Sequence, residues 1–180
     1  MNPTLGSTIV AHLTGSKFEE NQAKESGALA IGTSTLTNLS RCLFSKNQAT
    51  RAAAISVRGS MTISDSILRS NLALPGGTSL PAGVCPDIFG LCSLLTAGAV
   101  ELMPAARSRV IRTLFEDNYS PLSPGAMLVE VSVRLINQIQ IYFRLDCALQ
   151  GGAAVHISQS TFSRNSASYG GANTGFVVAI

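Results

Sequence analysis

Charged side chains and long apolar runs are both scarce in this sequence of 180 residues. Only 13% of the residues are Asp, Glu, Lys or Arg, well below the share typical of soluble domains, whereas 46% are hydrophobic. No stretch approaches the ~18 consecutive apolar residues that a membrane-spanning helix needs. The longest apolar run, from Ala126 to Ile136, is interrupted by Glu130 and Arg134. We therefore expect no membrane-spanning segment, and a stacked fold in which most side chains face inward.

Motifs for binding metals or phosphates are also missing. The four cysteines, Cys42, Cys85, Cys92 and Cys147, form no CxxC pair and have no neighbouring histidine, which argues against a zinc site. They are interpreted as small buried hydrophobic residues, with a Cys85–Cys92 bridge in an oxidising compartment as the alternative. The glycine pairs are not followed by the GK[ST] of a phosphate-binding loop. The sequence therefore predicts no metal and no cofactor.

Groups for acid–base catalysis are few and far apart. His12 and His156 are the only histidines, and the four aspartates lie at positions 65, 87, 117 and 146. Enzymes that cleave acidic polysaccharides need carboxylates clustered on one face. The sequence shows no such pair, so we predict a protein that is not an enzyme. The alternative, a fragment of a carbohydrate-active enzyme, stays open because stacked coils can unite distant residues.

The basic residues bear on whether the protein binds nucleic acid. The net charge is +3, and the only basic cluster, Arg107 to Arg112, has no aromatic residues interleaved with it. We interpret it as a solvated face and predict no nucleic-acid binding.

The first 21 residues lack the basic start and apolar core of a signal peptide. Neither end resembles the polar cap that a solenoid needs, so we expect this chain to be a piece of a longer protein.

A repeat dominates what the sequence does contain. Phenylalanine is followed by asparagine at +3, a small residue at +5 and Gly-Ala near +9, and weaker copies substitute other residues in these slots. Consecutive copies lie about 24 residues apart, a period that indicates a solenoid and is too short for pairs of helices. The predicted ladder residues are Phe18, Asn21, Phe44, Asn47, Leu68, Asn71, Phe89, Phe115, Asn118, Phe143, Asp146, Phe162 and Asn165.

Short segments that alternate apolar with small or polar residues separate these anchors. Three short strands and three turns per coil predict an all-β fold, a single right-handed parallel β-helix spanning residues 1–180 in about seven coils of roughly 24 residues. We expect the phenylalanines to stack in the interior and the asparagines to adopt left-handed backbone while bonding to one another. Residues 74–86, with three prolines and three glycines, are predicted to form a loop insertion, either a binding loop or a tolerated one.

The pairing of F-x-x-N with G-G-A resembles a known family of repeats. Phe162 and Asn165 followed by Gly170-Gly171-Ala172 are similar to the repeats of chlamydial polymorphic outer membrane proteins, which have the pectin-lyase-like right-handed β-helix fold. The resemblance extends from Phe18 to Ala172. It implies a cell-surface or extracellular location, in the outer membrane if the source is bacterial, and a role in adhesion or surface presentation towards a protein or glycan. A degenerate fragment without independent activity is the other alternative.

Overall fold

A computed structural model describes residues 8–74, 97–103, 105–121, 125–129, 154–167 and 177–178. Strands are the regular structure in these ranges, and almost all of them pair in parallel. Within the ranges just given, the structure has no helix that is long and apolar enough to cross a membrane. The predicted all-β parallel β-helix is therefore confirmed as the fold class, while its right-handed sense stays a prediction.

The chain winds through five successive coils. The first coil contains β1 (Ile9–Thr14), β2 (Lys17–Glu19), β3 (Gln22–Ala23) and β4 (Leu29–Ile31). The second contains β5 (Thr35–Ser40), β6 (Leu43–Ser45), β7 (Gln48–Ala49) and β8 (Ile55–Val57). The third contains β9 (Ser60–Ser64), β10 (Ile67–Arg69), β11 (Leu72–Ala73) and β12 (Val100–Leu102).

The remaining strands complete the stack. The fourth coil contains β13 (Arg107–Ile111), β14 (Leu114–Glu116), β15 (Tyr119–Ser120) and β16 (Met127–Val129). The fifth contains β17 (Ala154–Ser158), β18 (Ser160–Ser163) and β19 (Ser166–Ala167), and it is followed by β20 (Val177–Val178). The final strand, β20, pairs with β18 in the antiparallel direction.

Equivalent strands of successive coils form four sheets along the rod. Sheet 1 has the order β1-β5-β9-β13-β17, and sheet 2 has β2-β6-β10-β14-β18-β20. Sheet 3 is β3-β7-β11-β15-β19, and sheet 4 is β4-β8-β12-β16. Four strands per coil replace the three that the sequence predicts. Adjacent strands of a sheet are ~4.8 Å apart, so the five coils of sheet 1 span about 19 Å along the rod.

The extra strand arises because left-handed residues break the chain on both sides of sheet 2. One occurs three residues before each anchor and another two residues after it, with φ between 45° and 62°. In the first four coils their amides still donate to the next coil, as Lys46 does to the Arg69 carbonyl at 3.1 Å. The left-handed residue therefore precedes the asparagine, whereas we predicted left-handed backbone at the asparagine itself. The two rows are Gly15, Arg41, Asp65, Arg112 and Gln159, and Glu20, Lys46, Ser70, Asp117 and Arg164.

The predicted count of about seven coils requires correction. Leu68 pairs directly with Phe115, and Phe115 pairs directly with Phe162, so these three anchors occupy adjacent coils. Each of these two steps spans 47 residues, about twice the predicted period. The other predicted anchors, Phe89 and Phe143, and also Asp146, lie outside the described residues. Five coils rather than seven therefore stack within the ranges that the structure describes.

Long connections join described positions at two places in the chain. Leu74 donates its amide to the Ala49 carbonyl, and Ala97 pairs with Ala52, so residues 75–96 connect two positions that a single residue connects in the second coil. The predicted insertion at 74–86 begins at this corner, although beyond Leu74 it lies outside the described residues. The second connection, residues 130–153, joins the last described strand of sheet 4 to the last strand of sheet 1. The described strands on either side of both connections pair with the neighbouring coil.

Glycine is required where sheet 3 turns into sheet 4, because the coils approach very closely there. A Cβ atom added to Gly98 would lie 1.8 Å from the carbonyl oxygen of Gly125, and one added to Gly27 would lie 1.8 Å from that of Ala53. Both obstacles are backbone atoms, which cannot rotate away as a side chain can. Gly98-Ala99 belongs to the third coil, which contains Leu68, since the Ala54 amide of the second coil donates to the Ala99 carbonyl at 3.0 Å.

We expect Gly98→Ala to destabilise the fold by about 1–3 kcal/mol, because the added methyl group forces two backbones apart. Urea unfolding followed by circular dichroism measures the loss. Gly15→Ala is the matched control: a Cβ atom added at Gly15 would have no atom within 4 Å, although the φ of 62° is costly for alanine. A larger loss at Gly15 than at Gly98 would contradict the role of close approach.

Candidate functional site

The anchor residues lie in one column inside sheet 2. Phe18 pairs with Phe44, Phe44 with Leu68, Leu68 with Phe115, and Phe115 with Phe162. The rings of Phe18 and Phe44 stack with centroids 4.7 Å apart, and those of Phe115 and Phe162 with centroids 4.5 Å apart. Leu68 separates the two stacked pairs, and the three central anchors are fully buried. Phe44, Leu68 and Phe115 belong to the hydrophobic core, and the partly buried Phe18 and Phe162 pack against it, so the role of the column is structural.

The asparagines form a continuous ladder of side-chain amides beside this column. Each Nδ2 donates to the Oδ1 of the next asparagine: Asn21 to Asn47, Asn47 to Asn71, Asn71 to Asn118, and Asn118 to Asn165, over 2.8–3.0 Å. The same Oδ1 also accepts the backbone amide of the preceding asparagine. Except at Asn21, Nδ2 also donates to the carbonyl of the anchor in the preceding coil. These amides are therefore structural.

A second ladder, which was not predicted from the sequence, lies at the corner between sheets 1 and 2. Small residues with a hydroxyl or thiol group stand two positions before each anchor. Cys42 donates its amide to the Ser66 Oγ at 3.0 Å, and Thr113 donates to the Ser160 Oγ at 3.2 Å. The buried Cys42 thiol is free and donates to the Ser40 carbonyl. Counting back two residues from each anchor is the sequence signal that would have found this ladder.

Oppositely charged residues pair between coils at the two left-handed corners. In each pair, the hydrogen bond from the cation lowers the pKa of the carboxyl group. All six side chains are largely exposed, so each pair contributes little to stability. Through these pairs, three of the acidic side chains link neighbouring coils. The pairs are Glu20 Oε1–Lys46 Nζ at 2.9 Å, Asp65 Oδ1–Arg112 Nε at 2.6 Å, and Asp117 Oδ1–Arg164 Nε at 2.7 Å.

One carboxylate is buried. Val100 and Leu102 belong to the core, so strand alternation directs Glu101 to the outer side of sheet 4, yet its side chain is 0% exposed. Its Oε1 accepts from Arg51 Nε at 2.8 Å, and its Oε2 has no hydrogen-bond partner. Burial raises the pKa of Glu101, and the nearby Arg51 opposes that rise. Such a pair is sensitive to the loss of either partner.

We expect Arg51→Ala to destabilise the fold by about 1–3 kcal/mol at neutral pH, because it leaves a buried carboxylate without its cation. The raised pKa means that Glu101 favours folding below its unfolded-state pKa, and this contribution is lost as the pH rises through the folded-state pKa. Removing Arg51 raises the folded-state pKa further, so the cost of the variant should shrink on acidification. Urea unfolding at about pH 4 and pH 7 tests this.

The matched control for this experiment is Lys46→Ala, which removes a cation from a pair with the exposed Glu20. Little change in stability is expected at neutral pH. A loss in Arg51→Ala that is the same at both pH values would show that the buried carboxylate is not its cause.

The outer side of sheet 1 carries straight rows of side chains along the rod. Alternate residues of its strands point outward and align in rows along the rod. We call these outward side chains the sheet 1 face. Its described members are Val10, Leu36, Ser60 and Arg107 in one row, His12, Asn38, Thr62, Arg109 and His156 in the second, and Thr14, Ser40, Ser64, Ile111 and Ser158 in the third.

The charge on the sheet 1 face is of one sign. Arg107 and Arg109 point outward from β13 and are exposed, and none of the described residues in the three rows is Asp or Glu. Arg109 lies between Thr62 and His156 in adjacent coils. Further along the same row, the Asn38 amide nitrogen lies 3.3 Å from His12 Nδ1. This face therefore combines two cationic groups with hydroxyl and amide groups.

The Arg107–Arg112 cluster was visible in the sequence, but the alignment of its residues with those of neighbouring coils in the rows of the sheet 1 face was not predicted. Arg109, His12 and His156 each lie six residues before an anchor, and that common offset was the signal present. Arg112 belongs to a different environment, because it pairs with Asp65 at the corner.

Comparison with known proteins gives no assignment for these features. Within the described ranges, no three His, Cys, Asp or Glu side chains converge so as to hold a metal ion. No family model matches the chain, and neither a curated protein nor a solved structure matches it.

Proposed function

We propose that this chain is a non-enzymatic β-helix segment at the cell surface or outside the cell, which presents its strand faces and loops to a macromolecule in adhesion or surface presentation. The observation that carries the proposal is the sheet 1 face, whose outward side chains form straight rows on a stack of paired coils. The resemblance of the F-x-x-N and G-G-A repeat to surface-protein repeats supports the location. Long exposed faces on stacked repeats are the usual binding surfaces of solenoids.

The use of the acidic residues favours binding over catalysis. Glu20, Asp65, Asp117 and Glu101 each have a cationic partner in another coil. Three of these carboxyl groups have a lowered pKa and are therefore poor general acids near neutral pH. In this arrangement the four carboxylates link neighbouring coils rather than converge on one reaction centre.

The test is a binding assay run beside a turnover assay. The purified, fluorescently labelled chain is added to intact cells and to arrays of immobilised glycans and extracellular proteins. The chain unfolded in urea, and the same sample after refolding, are the controls for dependence of binding on the fold. Saturable binding by the folded chain is the expected result. Release of oligosaccharides or of unsaturated sugar ends from any polysaccharide by the chain alone would overturn the proposal in favour of an enzyme.

A further inference from the structure

We propose that the sheet 1 face binds a linear sulfated polysaccharide, with Arg107 and Arg109 as the residues that contact its sulfate groups. The inference rests on the proposed function, because it names the partner of one presented face. Three features of the described residues carry it: positive charge that no carboxylate neutralises, the guanidinium groups that bear it, and the straight row of neutral polar groups beside them.

The first feature is charge that is not neutralised. Arg112 and Arg164 each donate to a carboxylate in another coil over 2.6–2.7 Å, so most of their charge is already balanced within the rod. Arg107 and Arg109 are exposed and take part in none of the described ion pairs. They stand two residues apart on one strand, and so about 7 Å from each other on the same side. An anionic partner can therefore contact both.

The second feature is the type of cation. Both residues are arginine, whose planar guanidinium gives two parallel hydrogen bonds to an oxyanion and is less strongly hydrated than an ammonium group. Sulfate groups keep their charge at any physiological pH and present such oxygens in pairs. The guanidinium groups thus suit a sulfated chain, and they need no change of protonation to bind it.

The third feature is the row of neutral polar groups that continues from the arginines along the rod. Thr62 adjoins Arg109, and Asn38 adjoins Thr62 in the next coil. The contact between Asn38 and His12 restrains that amide. Hydroxyl and amide groups in a straight line at the ~4.8 Å spacing of the coils can hydrogen-bond to successive sugars of an extended chain. Phe, Tyr and Trp are absent from the described residues of the sheet 1 face, which disfavours single-stranded nucleic acid because its bases stack best on such rings.

The experiment compares a sulfated polymer with its neutral parent and with two other polyanions. Binding of the full chain to fluorescent dextran sulfate is measured by anisotropy, with neutral dextran, polygalacturonate and single-stranded DNA as the other probes. The variant R107Q/R109Q tests the two arginines. The control variant K17Q/R69Q removes the same charge from exposed positions on the outer side of sheet 2. Thermal unfolding of both variants verifies that each is folded.

We expect dextran sulfate to bind and neutral dextran not to bind. The affinity for dextran sulfate should fall at least about tenfold in R107Q/R109Q and less than about twofold in K17Q/R69Q, because charge-assisted contacts are local whereas the overall field is shared. Equal losses in the two variants would overturn the proposal, since they would indicate a diffuse electrostatic effect. Tighter binding of polygalacturonate or of DNA would also overturn it.

The outcome separates this inference from the proposed function. If wild type and R107Q/R109Q bind cells equally well, the sheet 1 arginines are not the contact residues, while the surface-binding role stands. If the folded wild-type chain binds neither cells nor any immobilised glycan or protein, the proposed function fails as well.

Discussion

Truncating Phe115 to alanine should lower the free energy of unfolding by about 3–5 kcal/mol, the largest single-residue effect that we expect in this chain. Its ring is fully buried, stacks on Phe162 with the two planes 3° from parallel, and pairs with Leu68 on the other side. The substitution leaves a cavity between coils whose backbone hydrogen bonds hold them at a fixed spacing, so the walls have little freedom to collapse. Urea unfolding followed by circular dichroism measures the loss.

Two companion variants make this result specific. Phe18→Ala should cost less, because Phe18 is only partly buried and stacks on Phe44 alone. Phe115→Leu should cost less than about 1.5 kcal/mol, because Leu68 already occupies the same slot in the neighbouring coil. Equal losses in Phe18→Ala and Phe115→Ala would contradict the assignment of Phe115 to the centre of the core.

Asn118→Ala is expected to cost about 3 kcal/mol or more, because several buried groups lose their partners at about 1–3 kcal/mol each. The Asn118 Oδ1 accepts from both the backbone amide and the side chain of Asn71, over 3.1 and 2.9 Å. Its Nδ2 donates to the Leu68 carbonyl and to the Asn165 Oδ1. Alanine supplies none of these groups, and the site is too deep in the stack for water to replace them easily.

The control for the amide ladder is Asn21→Ala at its first described position. Asn21 is exposed, and its side chain donates to Asn47 alone. A small loss is expected there, and the difference between the two variants in urea unfolding isolates the effect of burial. A stability of Asn118→Ala equal to that of the wild-type chain would show that the ladder does not stabilise the fold.

The anchor and amide slots were predictable from the sequence because their geometry is local. A three-residue strand directs its middle residue inward, a left-handed residue then turns the chain, and the asparagine follows at a fixed offset. Phe44 and Asn47 show the relation in its simplest form. The same offset recurs at Leu68 and Asn71, where leucine replaces the aromatic ring but the asparagine is retained.

The number of coils was not predictable in the same way. The two long connections, residues 75–96 and 130–153, increase the spacing between paired anchors to 47 residues, about twice the basic period, so copies of the motif within them look like additional repeats. Gly98-Ala99 shows the error: its spacing assigns it to Phe89, whereas the hydrogen bonds place it in the coil of Leu68. Similarly, Gly125-Ala126 closes the coil of Phe115 although proline precedes it, because the Ala99 amide donates to the Ala126 carbonyl.

Glu101 marks a different limit of inference from sequence. Alternation within a strand determines which side of a sheet a residue faces, and it correctly directs Glu101 away from the core. Whether that side is covered depends on segments distant in sequence, and so the burial of Glu101 and its pairing with Arg51 across 50 residues leave no local trace. The sheet 1 face presents the same difficulty, because its rows exist only once the coils are placed in register.

The amide ladder also allows the length of a coil to vary without cost to its neighbours. Asn71 and Asn118 are 47 residues apart, yet their hydrogen bond has the same geometry as the one between Asn47 and Asn71, which are 24 residues apart. The hydrogen bond between successive asparagines thus fixes the register of neighbouring coils, whereas the number of residues between two asparagines can vary. Because doubling the segment between two dockings adds only about 0.6 kcal/mol of closure entropy, residues can be inserted at the corners while the strands on either side keep their pairing. The scaffold can therefore accept insertions of different length without a change in the residues of its interior.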